Sequence, residues 1–327
     1  MAPLDEYRSK RDFDATPEPA GDRTPTDAGD RFVIQQHDAT RLHWDLRLER
    51  DGVLASWAVP RGIPWSPKEN HLAVHTEDHP LEYLTFAGDI PEGEYGAGHM
   101  FVWDTGTYEA LEYRDNKAVI VLHGERARGK YALFQTRGRD WMIHRMDPPE
   151  DPAREFAPDH IEPMAAKPGR LPSGEDEGWA YEILWSGLRV GVRSSGGVVI
   201  IRRGDGTDVG ASFPEVRRLG RQLGITEVIL DGVITGGEAV ERRLAAKSES
   251  AIRRLSRDQP VALVVFDLLW LDGHPTGERP WEERRSLLDE LHLSGPAWRT
   301  PSAHRGEGQL LLDAAGQQGL AGLVAKR

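Results

Sequence analysis

From Leu42 the chain alternates strictly between apolar and polar side chains. Leu42, Trp44, Leu46 and Leu48 fall on one face, and His43, Asp45 and Arg47 on the other. A period of two predicts a half-buried strand. Asp51-Gly52 reads as a hairpin turn, with Val53–Val59 returning beside the first strand. Phe32-Val33-Ile34 is a β-prone run upstream, and Pro60-Arg61-Gly62-Ile63-Pro64 breaks the sheet. Further strand-like runs are His71–Thr76, His99–Trp103, Ala118–Leu122, Tyr131–Thr136 and Trp141–His144. Many short strands separated by turn signals predict a small all-β barrel or sandwich. The GDIPEGEYGAG stretch at 88–98 reads as a tight, glycine-punctuated connection. It lacks the strand–loop–helix setting of a nucleotide-binding loop.

The texture changes at both ends of this region. Residues 1–30 are polar and rich in Asp, Pro and Thr, which predicts an extended N-terminal arm. Arg11-Asp12-Phe13 and Thr16-Pro17-Glu18-Pro19 are its candidate docking points. The first domain proper is expected over 31–146. Residues 147–178 are rich in proline and acids and read as a linker. Over 179–327, strands (Trp179–Ile183, Val198–Arg202, Val228–Ile234, Val261–Trp270) mix with helical stretches (Pro214–Leu223, Trp281–Leu291, Gln309–Ala315). That mixture predicts an α+β domain.

Composition narrows the function classes. A length of 327 residues suits about two domains of ~150 residues each. No apolar run approaches the ~20 residues of a membrane span, so no membrane partner is expected. The N-terminus has no apolar signal core, and a cytoplasmic, nucleoid-associated location is the expectation. Cysteine is absent, which excludes disulfides, thiolate metal sites and a cysteine nucleophile. The net charge of −12 argues against binding nucleic acid by bulk electrostatics. It leaves room for a local basic surface around Arg41, Arg47, Arg50, Arg61 and Lys68. Six of the twelve histidines lie between 37 and 99, which marks where chemistry is to be sought.

On a strand, His43 and Asp45 stand about 7 Å apart along one face, within reach of a common ion. His37 is a third donor from the preceding segment. Two imidazoles and a carboxylate form a borderline-to-hard set, and three protein ligands leave positions open for water and substrate. Arg47 continues the face as an anion ligand. His79 is a candidate general acid or phosphate ligand, and Tyr83 a hydroxyl donor. Two rival readings stay open on spacing alone. Asp45 and Arg47 form a same-face ion pair worth about 0–1 kcal/mol, or the His-Trp-Asp run with a distant histidine forms an iron site for oxygen activation. His71, His75 and His99 read as structural.

Longer motifs discriminate further. QQHDATRLHWDLRLE, Trp57-Ala58-Val59-Pro60, TEDHPLEY and GDIPEGEYGAG occur in this order. Across residues 11–145 the chain resembles the 3′-phosphoesterase domain of bacterial DNA ligase D, an end-joining repair enzyme. The resemblance implies a compact β-barrel that removes a 3′-phosphate or 3′-ribonucleotide remnant from DNA ends. It implies His37, His43 and Asp45 as ligands of a divalent metal, typically manganese, and Arg47, His79 and Tyr83 as phosphate contacts. It further implies Glu77 near the site, and Arg11, Asp12 and Glu18 as arm positions that influence activity. Two positions depart from the family pattern: a lysine is replaced by Arg61, and a basic residue by His71. Arg61 keeps charge but not geometry.

Residues 163–327 resemble the adenylation domain of ATP-dependent DNA ligases, of ATP-grasp nucleotidyltransferase type, without the OB domain. Pro163-Met164, WAYEILWSGLRV, ILDGVI, VFDLLWLDG, Glu283-Arg284-Arg285 and GLVAKR carry the likeness. The attacking lysine of that family is Leu184 here, and its Asp is Ser186. Two of its glutamates fall at Val233 and Ala321. Arg189, Asp231, Phe266 and Lys326 remain. The expectation is a degenerate domain that does not use ATP for adenylation, attached to an active phosphoesterase. The expected partners are DNA 3′ ends, a DNA-end-binding protein, and a separate ligase or polymerase. The alternative is a non-catalytic adaptor for DNA ends or repair complexes.

Overall fold

The computed structural model describes residues 4–21, 29–172 and 178–327. Parts of the expected arm (1–3 and 22–28) and of the expected linker (173–177) lie outside the described residues. The chain divides into two compact units, Met1–Pro152 and Ala153–Arg327.

The first unit is built on nine strands: β1 (Arg31–Asp38), β2 (Leu42–Arg50), β3 (Val53–Val59), β4 (Asn70–His75), β5 (Gly88–Ile90), β6 (Gly98–Arg114), β7 (Lys117–His123), β8 (Arg128–Arg137) and β9 (Asp140–Arg145). They run β1-β2-β3-β4-β9-β8-β7-β6, and β6 pairs back onto β1, so eight antiparallel strands close into a barrel. The short β5 adds outside β6. Closure removes the unpaired edges that an open sheet would present. Between β2 and β3, Asp51 and Gly52 both take positive φ (50° and 82°), the backbone of a type I′ hairpin.

The alternation of β2 is real, but the strand is not half-buried. Trp44, Leu46 and Leu48 are fully buried on one face, and Asp45, Arg47 and Glu49 are buried on the other. A second apolar layer explains this. Tyr7, Leu81, Tyr83 and Leu84 pack over Val33, Leu54 and Met100, covering the polar face. Tyr7 belongs to a one-turn helix, α1 (Asp5–Ser9), where an extended arm was expected. The arm folds on itself, Tyr7 Oη donating to the Pro19 carbonyl at 2.6 Å and Arg8 to the carbonyls of Ala20 and Gly21, and docks onto the barrel through Lys10 and Arg11 on Glu77 and Glu18 on Tyr83. Long-range burial of Tyr7, invisible to local composition, orders this polar segment.

In the second unit, one sheet runs β12 (Val198–Arg203), β11 (Leu188–Ser195), β13 (Val228–Thr235), β14 (Ala262–Leu271), β17 (Trp298–Arg299) and β16 (Ser294–Gly295), with β15 (His274–Pro275) on β14. A second sheet sets β10 (Ala180–Ile183) between β18 (His304–Arg305) and β19 (Leu323–Lys326). The helices are α2 (Pro214–Arg217), α3 (Leu219–Leu223), α4 (Glu238–Ala245), α5 (Glu249–Asp258), α6 (Trp281–Glu290) and α7 (Gly308–Gln317). The expected single helix over Pro214–Leu223 is two short ones, parted at Arg218. Strand β11 and helices α4 and α5 were not expected. Each of these helices buries little, Val240 and Arg243 in one and Ile252 in the other, so their apolar signal is thin. Residues 153–163 pack onto this unit: Ala157 and Ile161 join Ile229, Leu269 and Trp270. Among the described residues, no helix is long and apolar enough to cross a membrane.

Candidate metal and phosphate site

The β1–β2 register decides which histidine joins His43 and Asp45. His37 stands directly opposite His43 across the pair, and Gln35 opposite Asp45. Cross-strand partners point to the same face, so the three donors converge although only two share a strand. The imidazole centroids lie 4.7 Å apart. Asp45 Oδ2 is 3.6 Å from His37 Nδ1, and Asp45 Oδ1 is 3.5 Å from His43 Nε2. One ligand atom from each residue falls within 4.8 Å of the others.

The outer hydrogen bonds test whether this set fits a cation. His37 Nε2 lies 2.8 Å from the Gly96 carbonyl, and His43 Nδ1 lies 2.9 Å from the Arg41 carbonyl. A carbonyl only accepts, so each of these nitrogens carries the hydrogen. In a ring that carries only that one hydrogen, as a metal-bound histidine does, the other nitrogen turns a lone pair toward Asp45. Two lone pairs facing a carboxylate repel unless a cation lies between them, and the backbone carbonyls fix the tautomers as outer partners of metal-bound histidines do. The set fits a divalent ion. His43, with 20% of its side chain exposed, is the open side; His37 and Asp45 are buried.

Arg47 is buried beside this cluster. Its Nη2 donates to Asp45 Oδ2 at 2.9 Å, its Nε to Gln35 Oε1 at 2.7 Å, and its Nη1 to Ser56 Oγ at 3.0 Å. Burial pushes the Asp45 carboxyl up. Arg47, joined by the imidazoles only where they carry a second proton, outweighs it and holds the group well below the usual carboxylate range. The Arg47 guanidinium also lies over the Tyr83 ring, 4.8 Å from its centroid. Gln35 ties the two together, because its Nε2 donates to the Tyr83 and Phe86 carbonyls at 3.1 and 2.8 Å.

Tyr83 opens a second network, shared with the arm. Its hydroxyl donates to Glu18, which also accepts from Arg11 Nε at 2.7 Å and Thr16 Oγ1 at 3.0 Å. Arg11 Nη1 reaches Glu77 Oε1 at 3.1 Å, and Lys10 Nζ reaches Glu77 Oε2 at 2.9 Å. Arg11 Nη2 lies 3.3 Å from His79 Nε2, while His79 Nδ1 donates to the Glu77 carbonyl at 2.8 Å. His79 is therefore held neutral: burial, then Arg47 and Arg11, push it well below its ordinary value. Burial opposes ionisation of Glu77 too, but Lys10, a backbone N–H and Arg11 lower it. Burial drives the Tyr83 hydroxyl far up, so it stays protonated.

The candidate residues thus form two adjoining clusters, His37-His43-Asp45-Arg47 and Arg11-Glu18-Glu77-His79-Tyr83. Two positions do not join them. Asp12 turns back to cap Asp14 N at 3.1 Å, and Arg61 is an exposed partner of Glu69 at 3.5 Å. His71 is buried, giving its Nδ1 hydrogen to the Gly62 carbonyl at 2.6 Å. Gln35, Ser56, Lys10 and Gly96 were missed. The glycine loop is more than a connection, since it supplies the carbonyl on His37. No local signal marks Gln35 or Ser56; the β1–β2–β3 register, which sets Ser56 opposite Arg47, would have found them.

In the second unit Leu184 follows β10, 42% exposed, its N–H bonded to the Gly322 carbonyl at 2.9 Å. Nearby, Lys326 Nζ reaches Glu182 Oε2 at 3.0 Å and the Phe266 carbonyl at 2.8 Å. Arg285 approaches Glu182 Oε1 at 3.3 Å, and Arg189 pairs with Asp231 at 2.8 Å. Burial raises the Glu182 and Asp231 carboxyls, partly offset by these cations.

Residues 163–327, more than half of the chain, match the family described as ATP dependent DNA ligase domain, and the chain belongs to that family. Residues 35–135 match the DNA Ligase D 3′-phosphoesterase domain, so the chain joins the two domain types. The multifunctional non-homologous end joining protein LigD of Mycobacterium bovis is 40% identical over 331 residues, covering 99% of this chain and 43% of that protein. The protein of the same name from Pseudomonas aeruginosa is 32% identical over 382 residues, covering 99% of this chain and 45% of that one. The chain spans less than half the length of these curated relatives. A solved mycobacterial DNA ligase D complexed with ATP and MES is 31% identical, covering 53% of this chain and 56% of that one, with a TM-score of 0.43.

Proposed function

We propose that the first unit is a metal-dependent 3′-phosphoesterase that removes 3′-phosphates or 3′-ribonucleotide remnants from DNA ends in double-strand break repair. The observation that carries this is the convergence of His37, His43 and Asp45, each imidazole backed by a backbone carbonyl, beside a buried arginine. The match to the phosphoesterase domain supports it. Two imidazoles and one carboxylate suit a borderline-to-hard divalent ion, and manganese is the one that the resemblance to the phosphoesterase domain implies. Held by His37, His43 and Asp45, such an ion supplies Lewis-acid polarisation of a phosphoryl oxygen and a water of lowered pKa.

The chain's own residues do the rest. Three of the five guanidinium N–H groups of Arg47 are engaged by Gln35, Ser56 and Asp45, which leaves two for phosphoryl oxygens. Because the guanidinium is fixed before substrate arrives, it stabilises developing charge with little reorganisation. His79 and Tyr83 pack together beside Arg47, their ring centroids 4.8 Å apart. Arg11 and Glu18 orient them, and a phosphate entering there exchanges partners with Arg11. The cover of α1 keeps this side dry, which strengthens each charged contact. Asp12 and Arg61 act away from the reacting phosphate.

The same proposal makes the ligase-family unit unable to adenylate itself. Adenylation needs an amine to attack the α-phosphate of ATP, and Leu184 is a hydrocarbon. Val233 and Ala321 offer no carboxylates, and the Lys326 amine is held by Glu182 and the Phe266 carbonyl. The partners proposed are DNA 3′ ends, a DNA-end-binding protein, and a separate ligase or polymerase that uses the cleaned end.

The test is a 3′-phosphorylated primer-template with manganese. Wild type should release phosphate, and His43→Ala should not. Tight end binding without turnover by either protein would favour an adaptor instead. Labelled ATP should leave no covalent adduct on the wild-type chain; a stable adduct would overturn the second half of the proposal.

A further inference from the structure

The loop joining β5 to β6, residues 91–97, lies against the metal site, its Gly96 carbonyl accepting the His37 Nε2 hydrogen at 2.8 Å. Its charge is wrong for holding a DNA backbone. It carries Glu92 and Glu94 and no lysine or arginine. What it presents to solvent instead is an aromatic ring: Tyr95, the residue before Gly96, is 48% exposed.

The same ring adjoins the phosphate contacts. Lys10 Nζ lies 4.9 Å from its centroid and the Arg11 guanidinium 5.5 Å. Arg11 in turn reaches His79 Nε2 at 3.3 Å. Tyr95 therefore neighbours the His37 contact along the chain and is separated from His79 by a single guanidinium. A 3′-terminal phosphate held among Arg47, Arg11 and His79 carries its nucleoside directly, which brings the base within a nucleotide's length of the ring. The chain's net charge of −12 leaves bulk electrostatics little share in holding DNA. Stacking of a base on an aromatic face needs no cation and tolerates any sequence.

We propose that Tyr95 is the platform on which the nucleobase of the 3′-terminal nucleotide stacks while its phosphate is processed. The contact recognises that a base is present, not which base it is. The site thus takes ends of any sequence and favours a nucleotide over a bare sugar phosphate. This deepens, and rests on, the reading of the first unit as a 3′-phosphoesterase.

Two primer-templates test this with the full chain and manganese, alike except that the 3′-phosphorylated terminal nucleotide keeps its base in one and is abasic in the other. Wild type should show a KM about five- to a hundredfold lower for the base-bearing end, the range of one base stacked on one ring. Tyr95→Ala should erase most of that difference, and Tyr95→Phe should keep it. Tyr95→Leu fills the space without offering a π face and should behave like Tyr95→Ala. An undiminished difference in Tyr95→Ala, or its survival in Tyr95→Leu, would overturn the proposal. A terminal 2-aminopurine reads stacking without turnover: wild type and Tyr95→Phe should quench its fluorescence on binding, and Tyr95→Ala should not. Quenching by a wild type that releases no phosphate would sink the phosphoesterase reading and uphold the platform. Phosphate release without quenching would sink the platform alone.

Discussion

Arg47 lies against Asp45, Nη2 to Oδ2 at 2.9 Å, so the candidate metal carboxylate is also the counter-ion of a buried arginine. The pair cannot be changed from one side only. Asp45→Asn keeps the volume but strands the guanidinium, and breaking a buried pair in this way costs about 3–5 kcal/mol. The expected outcome is a large loss of stability and no rise in melting temperature on adding manganese, whereas the ion should stabilise wild type by mass action. Thermal melts with and without the ion check both halves.

Glu18 should matter as much as any residue of the barrel. It accepts from Arg11, Thr16 and Tyr83 within the buried core of the docked arm. Glu18→Ala leaves Arg11 without that partner and Tyr83 without an acceptor. We expect a first unit less stable by about 3–5 kcal/mol, together with faster proteolysis of the arm. Denaturant melts followed by limited proteolysis measure both effects.

Acid should weaken the first unit in two stages. His79 is held well below its ordinary value of about 6.5. Below pH 6.5 the unfolded chain therefore takes up a proton that the folded chain refuses, and stability falls as pH drops further. Glu77 is also depressed, so its contribution is present above about 4.5 and is lost as pH falls through its folded value. Melting temperatures from pH 7.5 to 5 should fall in wild type and fall less steeply in His79→Gln. Equal slopes would show that His79 is not the group responsible.

In the second unit the fully buried Arg243 joins Glu215, the Ser212 carbonyl and the Gln259 carbonyl, which pins α2, α4 and the end of α5 together. Arg243→Ala leaves Glu215 uncompensated and should destabilise this unit by about 3 kcal/mol or more. Release of 3′-phosphate by the first unit should be unaffected. Denaturant melts paired with the phosphate assay test this.

How much of this was legible in the sequence follows the range of the contacts. Strand β2 was plain from its period of two, and the Asp51-Gly52 turn from its chemistry. His43 and Asp45 were visible as a pair because they share one strand face. His37 needed the hairpin register, which places it opposite His43. Arg11 and Glu18 were named as docking points of the arm, but their partners were hidden: Arg11 meets Glu77 across 66 positions and Tyr83 meets Glu18 across 65. No local pattern reports contacts of that span. Burial of the polar face of β2 was hidden for the same reason, because its cover comes from α1 and the Leu81–Leu84 turn. In the second unit, α4 and α5 were overlooked because each buries a single apolar side chain, Val240 in one and Ile252 in the other. Leu184, by contrast, was legible from the sequence alone, at the position where the proposal reads a lost nucleophile.

The most direct measurement is phosphate release from a 3′-phosphorylated primer-template by the full chain, with and without manganese, for wild type and His43→Ala. Release by wild type only when the ion is present, and none by His43→Ala under either condition, is the predicted result. Equal release by both proteins, or release by wild type that survives removal of the ion, would contradict the assignment of His37, His43 and Asp45 as the metal site of a 3′-phosphoesterase.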